Sequence, residues 1–323
     1  MTLDAALRYA LEKVAPVRED EPLSRHTTIG VGGPADAYVV ADTKAQLAGV
    51  LRLCRESRTA VFMLGSGSNI VVGDRGIRGV TIENRAASLS EPQLMPRASA
   101  SGGGERCLVR AESGCSFAAV ARQLAFAGYA GLEWACGIPG SVGGAVIYNA
   151  GAYGGCLADV LQRVAVWDGE ETEYSADELG LVYRGSAFTR GRLAGRPVLW
   201  AEFALWPGDA ATLRARVADF DERRLKAHPR GRNAGSFFKN PPAGDGGAPQ
   251  PAWKLLDAVG LRGYRVGGAE FSAKHCNFLV NAGGATAADV AALMRLAQQR
   301  VHDAFGVDLE NEVSLVGEGF GDA

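Results

Sequence analysis

The sequence predicts an α+β chain in which two α/β lobes precede a mixed C-terminal region, and three observations carry that expectation. Short apolar strands such as Val61–Leu64 run directly into glycine-rich turns. Apolar stripes of helical period recur between them. A long helical pattern with Val290, Leu293, Met294, Ala297, Val301 and Phe305 on one face lies near the C-terminus, between two short strand patterns. At 323 residues, 47% of them apolar, the chain has ample core for two or three domains, with divisions expected at 1–85, 86–207 and 208–323.

Leu3, Leu7, Leu11 and Val14, with Ala6 and Ala10, mark a short amphipathic helix that ends before Pro16. After the Gly32-Gly33-Pro34 turn, residues 37–41 read as a strand. Asp42 is placed to cap a helix carrying Leu47, Val50, Leu51 and Cys54 on one face. Val61–Leu64 is the next strand, followed by a hairpin-like pair around Asp74-Arg75-Gly76 that ends in Val80-Thr81-Ile82. This βαββ unit is the first lobe. Residues 86–105 have turn-forming composition without periodicity and read as an exposed loop.

Residues 108–111 begin the second lobe, and Ser116 opens a helix with Phe117, Val120, Leu124 and Ala127. Strands follow at 160–167 and 172–175 around Asp168-Gly169, and 197–205 closes the lobe. The third region opens at Asp209 with the helix Ala210–Ala227, striped by Leu213, Val217, Phe220 and Leu225. Arg223, Arg224 and Lys226 at its end are ordinary compensation of the helix dipole. Next come a Pro/Gly/Asp loop at 241–251, a short helix at 253–259 and a strand at 277–281. Thr286 caps the long helix, and a last strand at 307–316 alternates so that Glu310, Glu312 and Ser314 share a face.

Two dense glycine knots interrupt this order. The first, Gly65-Ser66-Gly67-Ser68-Asn69, follows the Val61–Leu64 strand; the second spans 138–144 and 149–155. Without Cβ atoms the backbone can approach a ligand and aim successive N–H groups at an anion, most simply a diphosphate at the start of a helix. A Cβ at Gly140 or Gly143 is expected to obstruct such a ligand. A tight packing turn is the competing reading. Neither knot is a dinucleotide fingerprint, because no G-x-G-x-x-G opens a long helix, and the Lys-Ser/Thr of a P-loop is absent.

A net charge of −2 provides no global field for nucleic acid. Residues 1–15 carry Asp4, Arg8 and Glu12 and lack the apolar centre of a signal peptide. No apolar run approaches the ~20 residues that span a bilayer. A cytoplasmic protein without membrane insertion is therefore expected. Six cysteines without framework spacing are expected as reduced thiols, and four scattered histidines predict no metal.

Seven motifs stand in order along the chain: Thr27-Thr28 with Gly32-Gly33-Pro34-Ala35; Gly65-Ser66-Gly67-Ser68-Asn69; Gly137-Ile138-Pro139-Gly140-Ser141-Val142-Gly143-Gly144-Ala145; Asn149-Ala150-Gly151-Ala152-Tyr153-Gly154; Tyr183-Arg184-x-Ser186-x-Phe188; Gly235-Ser236-Phe237-Phe238-Lys239-Asn240-Pro241; and Glu312-Val313. Over residues 25–317 this series resembles the UDP-N-acetylenolpyruvoylglucosamine reductase family (UDP-N-acetylmuramate dehydrogenases). The resemblance implies a two-lobed FAD-binding domain of the PCMH type, followed by a C-terminal α+β substrate-binding domain. It implies non-covalent FAD, NADPH as reductant and a UDP-sugar substrate, in a monomer serving peptidoglycan precursor synthesis. By the same resemblance, Gly65, Ser66, Gly67, Ser68, Asn69, Pro139, Gly140, Ser141, Gly143, Gly144 and Tyr183 face the cofactor. Arg224, Lys239 and Asn240 become candidates for the substrate diphosphate, and Arg184, Ser236 and Glu312 for catalysis.

The chemistry explains why those residue types are needed. Reduction of an enolpyruvyl double bond requires a hydride donor, which no side chain supplies, so a redox cofactor must be held. Negative charge then develops on the carbon beside the ether and spreads into the carboxylate, where the planar cation of Arg184 suits it. In the family's picture Glu312 helps polarise that carboxylate, and Ser236 gives the carbanion its proton.

Three departures from the family pattern stand out. Ser314 takes the place of the Arg in a usual Glu-Val-Arg, and Gly30 stands where an Arg is frequent. The short span from Arg184 to Ser236 resembles the branch without a tyrosine-bearing lid loop. Two further readings remain open. One is another FAD-dependent oxidoreductase of the same fold. Many such enzymes tether flavin through a His in the first knot, whereas here Ser68-Asn69 stands there and no His lies between 27 and 227. The other is a catalytically silent nucleotide-binding homologue, against which Arg184, Ser236 and Glu312 together speak.

Overall fold

The computed structural model describes residues 3–95, 105–242 and 250–321. In helix α1 (Ala5–Glu12) the Asp4 carboxylate accepts from the amides of Ala6 and Leu7, which fixes the start. Strand β1 (Val17–Pro22) is an unexpected element, since Val-Arg-Glu-Asp-Glu-Pro has little strand propensity. It survives as an edge strand, antiparallel to β2 (Pro34–Ala41). Helix α2 (Lys44–Glu56) is capped by Thr43 rather than Asp42: Thr43 Oγ1 accepts from the Gln46 amide, and the Asp42 amide donates to the Gln46 side chain.

Strands β3 (Val61–Leu64), β4 (Ile70–Val72) and β5 (Ile77–Asn84) complete this part, and the expected hairpin between the last two does not form. Strand β5 inserts in parallel between β2 and β3, giving the order β1-β2-β5-β3. Strand β4 leaves that sheet and pairs in parallel with Ser314–Val316 at the far end of the chain. The turn between β4 and β5 is drawn the same way, because the Asp74 carboxylate accepts from the amides of Ala287 and Ala288 at 2.7 and 3.0 Å.

The second sheet uses β6 (Gln93–Leu94), β7 (Cys107–Glu112), β11 (Leu161–Trp167), β12 (Glu171–Ser175) and β13 (Val198–Pro207), in the order β12-β11-β13-β7-β6. Between them lie α3 (Phe117–Phe126), β8 (Tyr129–Ala130), α4 (Val142–Ile147) and the small hairpin of β9 (Gly151–Ala152) and β10 (Gly155–Cys156). The loop expected at 86–105 is partly sheet: Leu89 bridges Ala111, and β6 pairs with β7. Residues 96–104 lie outside the described residues. One face of this sheet packs Val109 and Phe203 against Phe117, Val142 and Val146 of α3 and α4. The other buries Trp167, Leu199 and Trp200 against Leu11 of α1 and Leu47 and Leu51 of α2. The first two sheets therefore share a core.

The remainder consists of α5 (Ala210–Ala227), β14 (Asn233–Ser236), α6 (Ala252–Ala258), β15 (Arg265–Val266), β16 (Ala269–Phe271), β17 (Phe278–Asn281), α7 (Ala287–Phe305) and β18 (Ser314–Val316). The third sheet runs β14-β17-β16-β15. The stripe expected on α5 is shorter than its pattern, since Leu213 and Val217 are buried whereas Leu225 is exposed. Helix α7 carries a reciprocal cap between Thr286 and Asp289 and stops at Gly306. Of the loop expected at 241–251, residues 243–249 lie outside the described residues.

The terminal strand is also shorter than its alternation suggested. Only β18 is strand, because Leu309 and Val313 anchor in the third core beside Phe237 and Phe238 before the chain crosses to β4. The Glu312 amide donates to Phe237 O at 2.8 Å at this crossing. Glu312 is thereby held between the third sheet and the first, rather than on a solvated face.

Candidate active site

One cleft of 730 Å³ lies where the three sheets meet, within the size range of small-molecule sites. Its walls come from β3 and the first knot, from residues 138–153, and from Arg184, Ser236, Glu312 and Ser314.

The first knot supplies the donors. Among the described residues, the amides of Ser66, Gly67, Ser68 and Asn69 have no acceptor in the protein. Gly67 adopts φ +61, and a Cβ there would meet His26 O at 2.1 Å, so only glycine permits this turn. Asn69 Nδ2 donates to Glu312 O at 3.1 Å and the Ser314 amide donates to Asn69 O at 3.0 Å, tying the knot to the catalytic candidates.

The second knot works differently from the sequence expectation. The first-turn amides of α4 are already used: Val142 N donates to Cys115 O, Gly143 N to Ser113 O and Gly144 N to Ser141 Oγ. The amides of Gly140 and Ser141, just ahead of the helix, have no acceptor among the described residues. Gly143 serves packing, since a Cβ there would lie 3.1 Å from Ser113 Cβ and 3.3 Å from Ser113 O. Gly144 lines the cleft, and its added Cβ would meet nothing closer than Ser141 Oγ at 3.6 Å. Gly144→Val is therefore expected to fold with nearly the parent melting temperature and to lose most of its bound FAD, measured as flavin absorbance per chain. Full occupancy in that variant would show that the knot touches no cofactor.

Free amides in both knots, open space over Gly144 and the apolar walls at Phe62, Phe117, Ile138 and Ile147 fit a dinucleotide with a diphosphate centre and flat ring systems.

Arg184, Ser236 and Glu312 reach the cleft from separate parts of the chain. Arg184 sits at φ +50 in a tight turn where Val182 and Gly185 exchange backbone hydrogen bonds at 2.9 and 3.1 Å. Its Nε lies 2.5 Å from Oε1 of Glu312, a charge contact without hydrogen-bond alignment. Burial pushes the Glu312 carboxyl above the usual carboxylate range, while Arg184 and then Lys239 pull it back. Ser236 ends β14 just after a register shift, with Gly235 at φ +81 beside it. Its hydroxyl has no hydrogen-bond partner among the described residues.

Three other candidates are not brought into the cleft wall. Tyr183 is exposed, with the Arg184 guanidinium 5.3 Å from its ring centre. Lys239 pairs with Glu310 at 3.0 Å, and Asn240 Oδ1 accepts from the Ala252 amide at the start of α6. Arg224 does line the cleft. So do residues that sequence reasoning passed over. Tyr148 shares a hydrogen bond of 2.7 Å with the Ser314 hydroxyl, at the position where the family's Arg is replaced. His228 stands one turn beyond Arg224, and no motif marked it.

Comparison with known proteins agrees with this geometry. Residues 35–176 match the FAD binding domain family, and residues 226–316 match the C-terminal domain of UDP-N-acetylenolpyruvoylglucosamine reductase. The reductase of Desulfosudis oleivorans is 44% identical over 308 residues, covering 94% of this chain and 95% of that protein. That of Carboxydothermus hydrogenoformans is 41% identical over 307 residues, with 94% and 95% covered. The crystal structure of UDP-N-acetylenolpyruvylglucosamine reductase from Thermus caldophilus superposes with a TM-score of 0.74 at 34% identity, covering 93% of this chain and 99% of that one. Cleft, knots and nearly full-length similarity lead to one assignment: the chain belongs to the UDP-N-acetylenolpyruvoylglucosamine reductase family.

Proposed function

We propose that this protein reduces UDP-N-acetylglucosamine enolpyruvate to UDP-N-acetylmuramate, using non-covalent FAD and NADPH, in peptidoglycan precursor synthesis. The observation that carries the reading is the convergence of Arg184, Ser236 and Glu312 on a cleft whose glycine knots present unused amides. FAD, held by the free amides of residues 66–69 and 140–141, would supply the two-electron chemistry that links NADPH to the enolpyruvyl double bond.

The side chains account for the rest. Arg184 presents a permanent cation to the substrate carboxylate, where charge accumulates as the double bond is reduced. Glu312, whose carboxyl burial pushes up while Arg184 and Lys239 pull it back, lies 2.5 Å from Arg184 Nε and holds that guanidinium at the cleft beside the substrate carboxylate. Ser236, whose hydroxyl has no partner among the described residues, gives its proton to the carbon beside the ether. In this reading 1–85 and 86–207 are the two FAD-binding lobes and 208–323 the substrate domain.

A monomer in the cytoplasm completes the proposal. Among the described residues no helix is long and apolar enough to cross a membrane. The test is spectroscopic. The protein, as isolated or after incubation with FAD, should show flavin bands that NADPH bleaches and the enolpyruvyl substrate restores. A colourless protein that takes up no FAD would remove the reading.

A further inference from the structure

Two hydroxyl groups in the cleft wall, those of Tyr148 and Ser314, take no part in the chemistry above, and they meet each other at 2.7 Å. The backbone holds both from behind. The Tyr148 amide donates to Gly144 O at 3.2 Å and closes α4, so the residue is built onto the helix that the second knot begins. The Ser314 amide donates to Asn69 O of the first knot at 3.0 Å, and Ser314 stands opposite Ile70 in the pairing of β18 with β4. One side-chain hydrogen bond therefore links the two knots across the cleft.

Each hydroxyl carries a single hydrogen. A bond between the two uses one of these hydrogens, and among the described residues nothing accepts the other. The pair thus presents one unused O–H, and no charge, at the position where the family commonly carries an Arg. A phenol is the better donor of the two, and the serine hydroxyl is free to turn its hydrogen to the phenol oxygen. Tyr148 then keeps the unused hydrogen.

Placement along the cleft decides what this donor meets. Tyr148 lies at the far end of the six-residue α4 from the unused amides of Gly140 and Ser141, about 10 Å away at ~1.5 Å per residue. Ser314 follows Glu312 by two residues, no more than about 7 Å of chain. With the diphosphate on the unused amides and the flavin ring where Arg184, Ser236 and Glu312 converge, the pair flanks the flavin end of the cofactor.

We propose that Tyr148 donates a neutral hydrogen bond to the flavin ring system, with Ser314 as its positioning residue, and that the pair sets the flavin's reduction potential with a dipole where the family commonly carries a cation. This rests on the FAD reading above. Reduction adds electron density to the ring, so a donor aimed at it binds the reduced form more tightly than the oxidised one.

The test is the midpoint potential and absorption spectrum of the flavin in the FAD-loaded protein, with no substrate present. A hydrogen bond to a group that gains charge is worth about a tenfold preference for the reduced form, which for a two-electron couple is about 30 mV. Tyr148→Phe, which removes the hydroxyl and keeps the ring, should retain FAD, lower the potential by that amount and shift the flavin bands. Ser314→Ala should produce part of the same change, and Ser314→Thr, which restores a hydroxyl, should recover the parent potential. The double variant Tyr148→Phe/Ser314→Ala should match Tyr148→Phe, because Ser314 acts only through the phenol. Coincident potentials and spectra in the parent and Tyr148→Phe would overturn the proposal. Additive effects in the double variant would overturn the pairing, and a full loss in Ser314→Ala with none in Tyr148→Phe would overturn Tyr148 as the donor. Loss of FAD from Tyr148→Phe, with Ser314→Ala at the parent potential, would reduce the pair to a clasp between the knots and overturn its electronic role. A parent protein that takes up no FAD would instead overturn the flavin reading, and the role of the pair with it.

Discussion

Replacing Ser236 with alanine should leave the flavin reducible by NADPH at nearly the parent rate and slow its reoxidation by the enolpyruvyl substrate by about 10²–10⁴-fold, the usual contribution of a positioned general acid. The asymmetry follows from chemistry. Reduction by NADPH needs no proton at the substrate carbon, whereas completion of substrate reduction does. The structure makes the variant a clean one, because among the described residues the Ser236 hydroxyl holds no partner whose loss would disturb the fold. Nearby replacements are restrained, since the Ser314 hydroxyl is already bonded to Tyr148 at 2.7 Å. Stopped-flow traces separate the two half-reactions. Equal slowing of both would indicate a damaged flavin site, and unchanged reoxidation would remove Ser236 from the mechanism.

Much of the fold was legible because its signals are local. Local patterning marked the strands Val61–Leu64, Cys107–Glu112, Leu161–Trp167, Glu171–Ser175 and Val198–Pro207 and the long C-terminal helix to within a few residues, whereas the two-residue strands at 93–94, 129–130, 151–152 and 155–156 carried no such pattern. The failures are tertiary. Val17–Pro22 has little strand propensity and exists because β2 offers it an edge. Ile70–Val72 looked like half of a hairpin, yet Asp74 is bound to the start of a helix over 200 positions away and the strand pairs with Ser314–Val316. The same crossing explains Glu312: alternation would place it beside Glu310 on a solvated face, but the anchoring of Leu309 and Val313 turns it into the cleft.

The site shows a similar division. Glycine knots are visible in sequence because the missing Cβ is a local property, but which amides remain free is not. Both knots read as anion cradles, yet three amides of the second are bound by Ser113, Cys115 and Ser141. His228 carried no motif. Its place in the cleft depends on how the end of α5 packs against Phe278 and His275.

Exchanging Arg184 for lysine should lower turnover with the enolpyruvyl substrate by about 10²–10³-fold, the range seen when one group stabilising transition-state charge is lost, with little change in FAD content. Lysine has the same backbone preference, so the strain at φ +50 is unaltered and only the planar fork is removed. The flavin cradle should be spared because Arg184 contacts Glu312 rather than either knot.

Arg184→Met supplies a second readout, one that does not depend on turnover. Burial already raises the Glu312 pKa and Arg184 opposes that rise, so removing the cation lets it climb further. A carboxyl whose folded pKa lies above its unfolded value contributes its full stability below the unfolded value and loses it as pH rises through the folded one. The methionine variant should therefore lose more melting temperature than the parent between about pH 5 and pH 8, and Glu312→Gln added to it should abolish the difference. Turnover of Arg184→Lys at the parent level, together with identical pH dependence of melting in Arg184→Met and the parent, would reduce Arg184 to a structural residue of its turn.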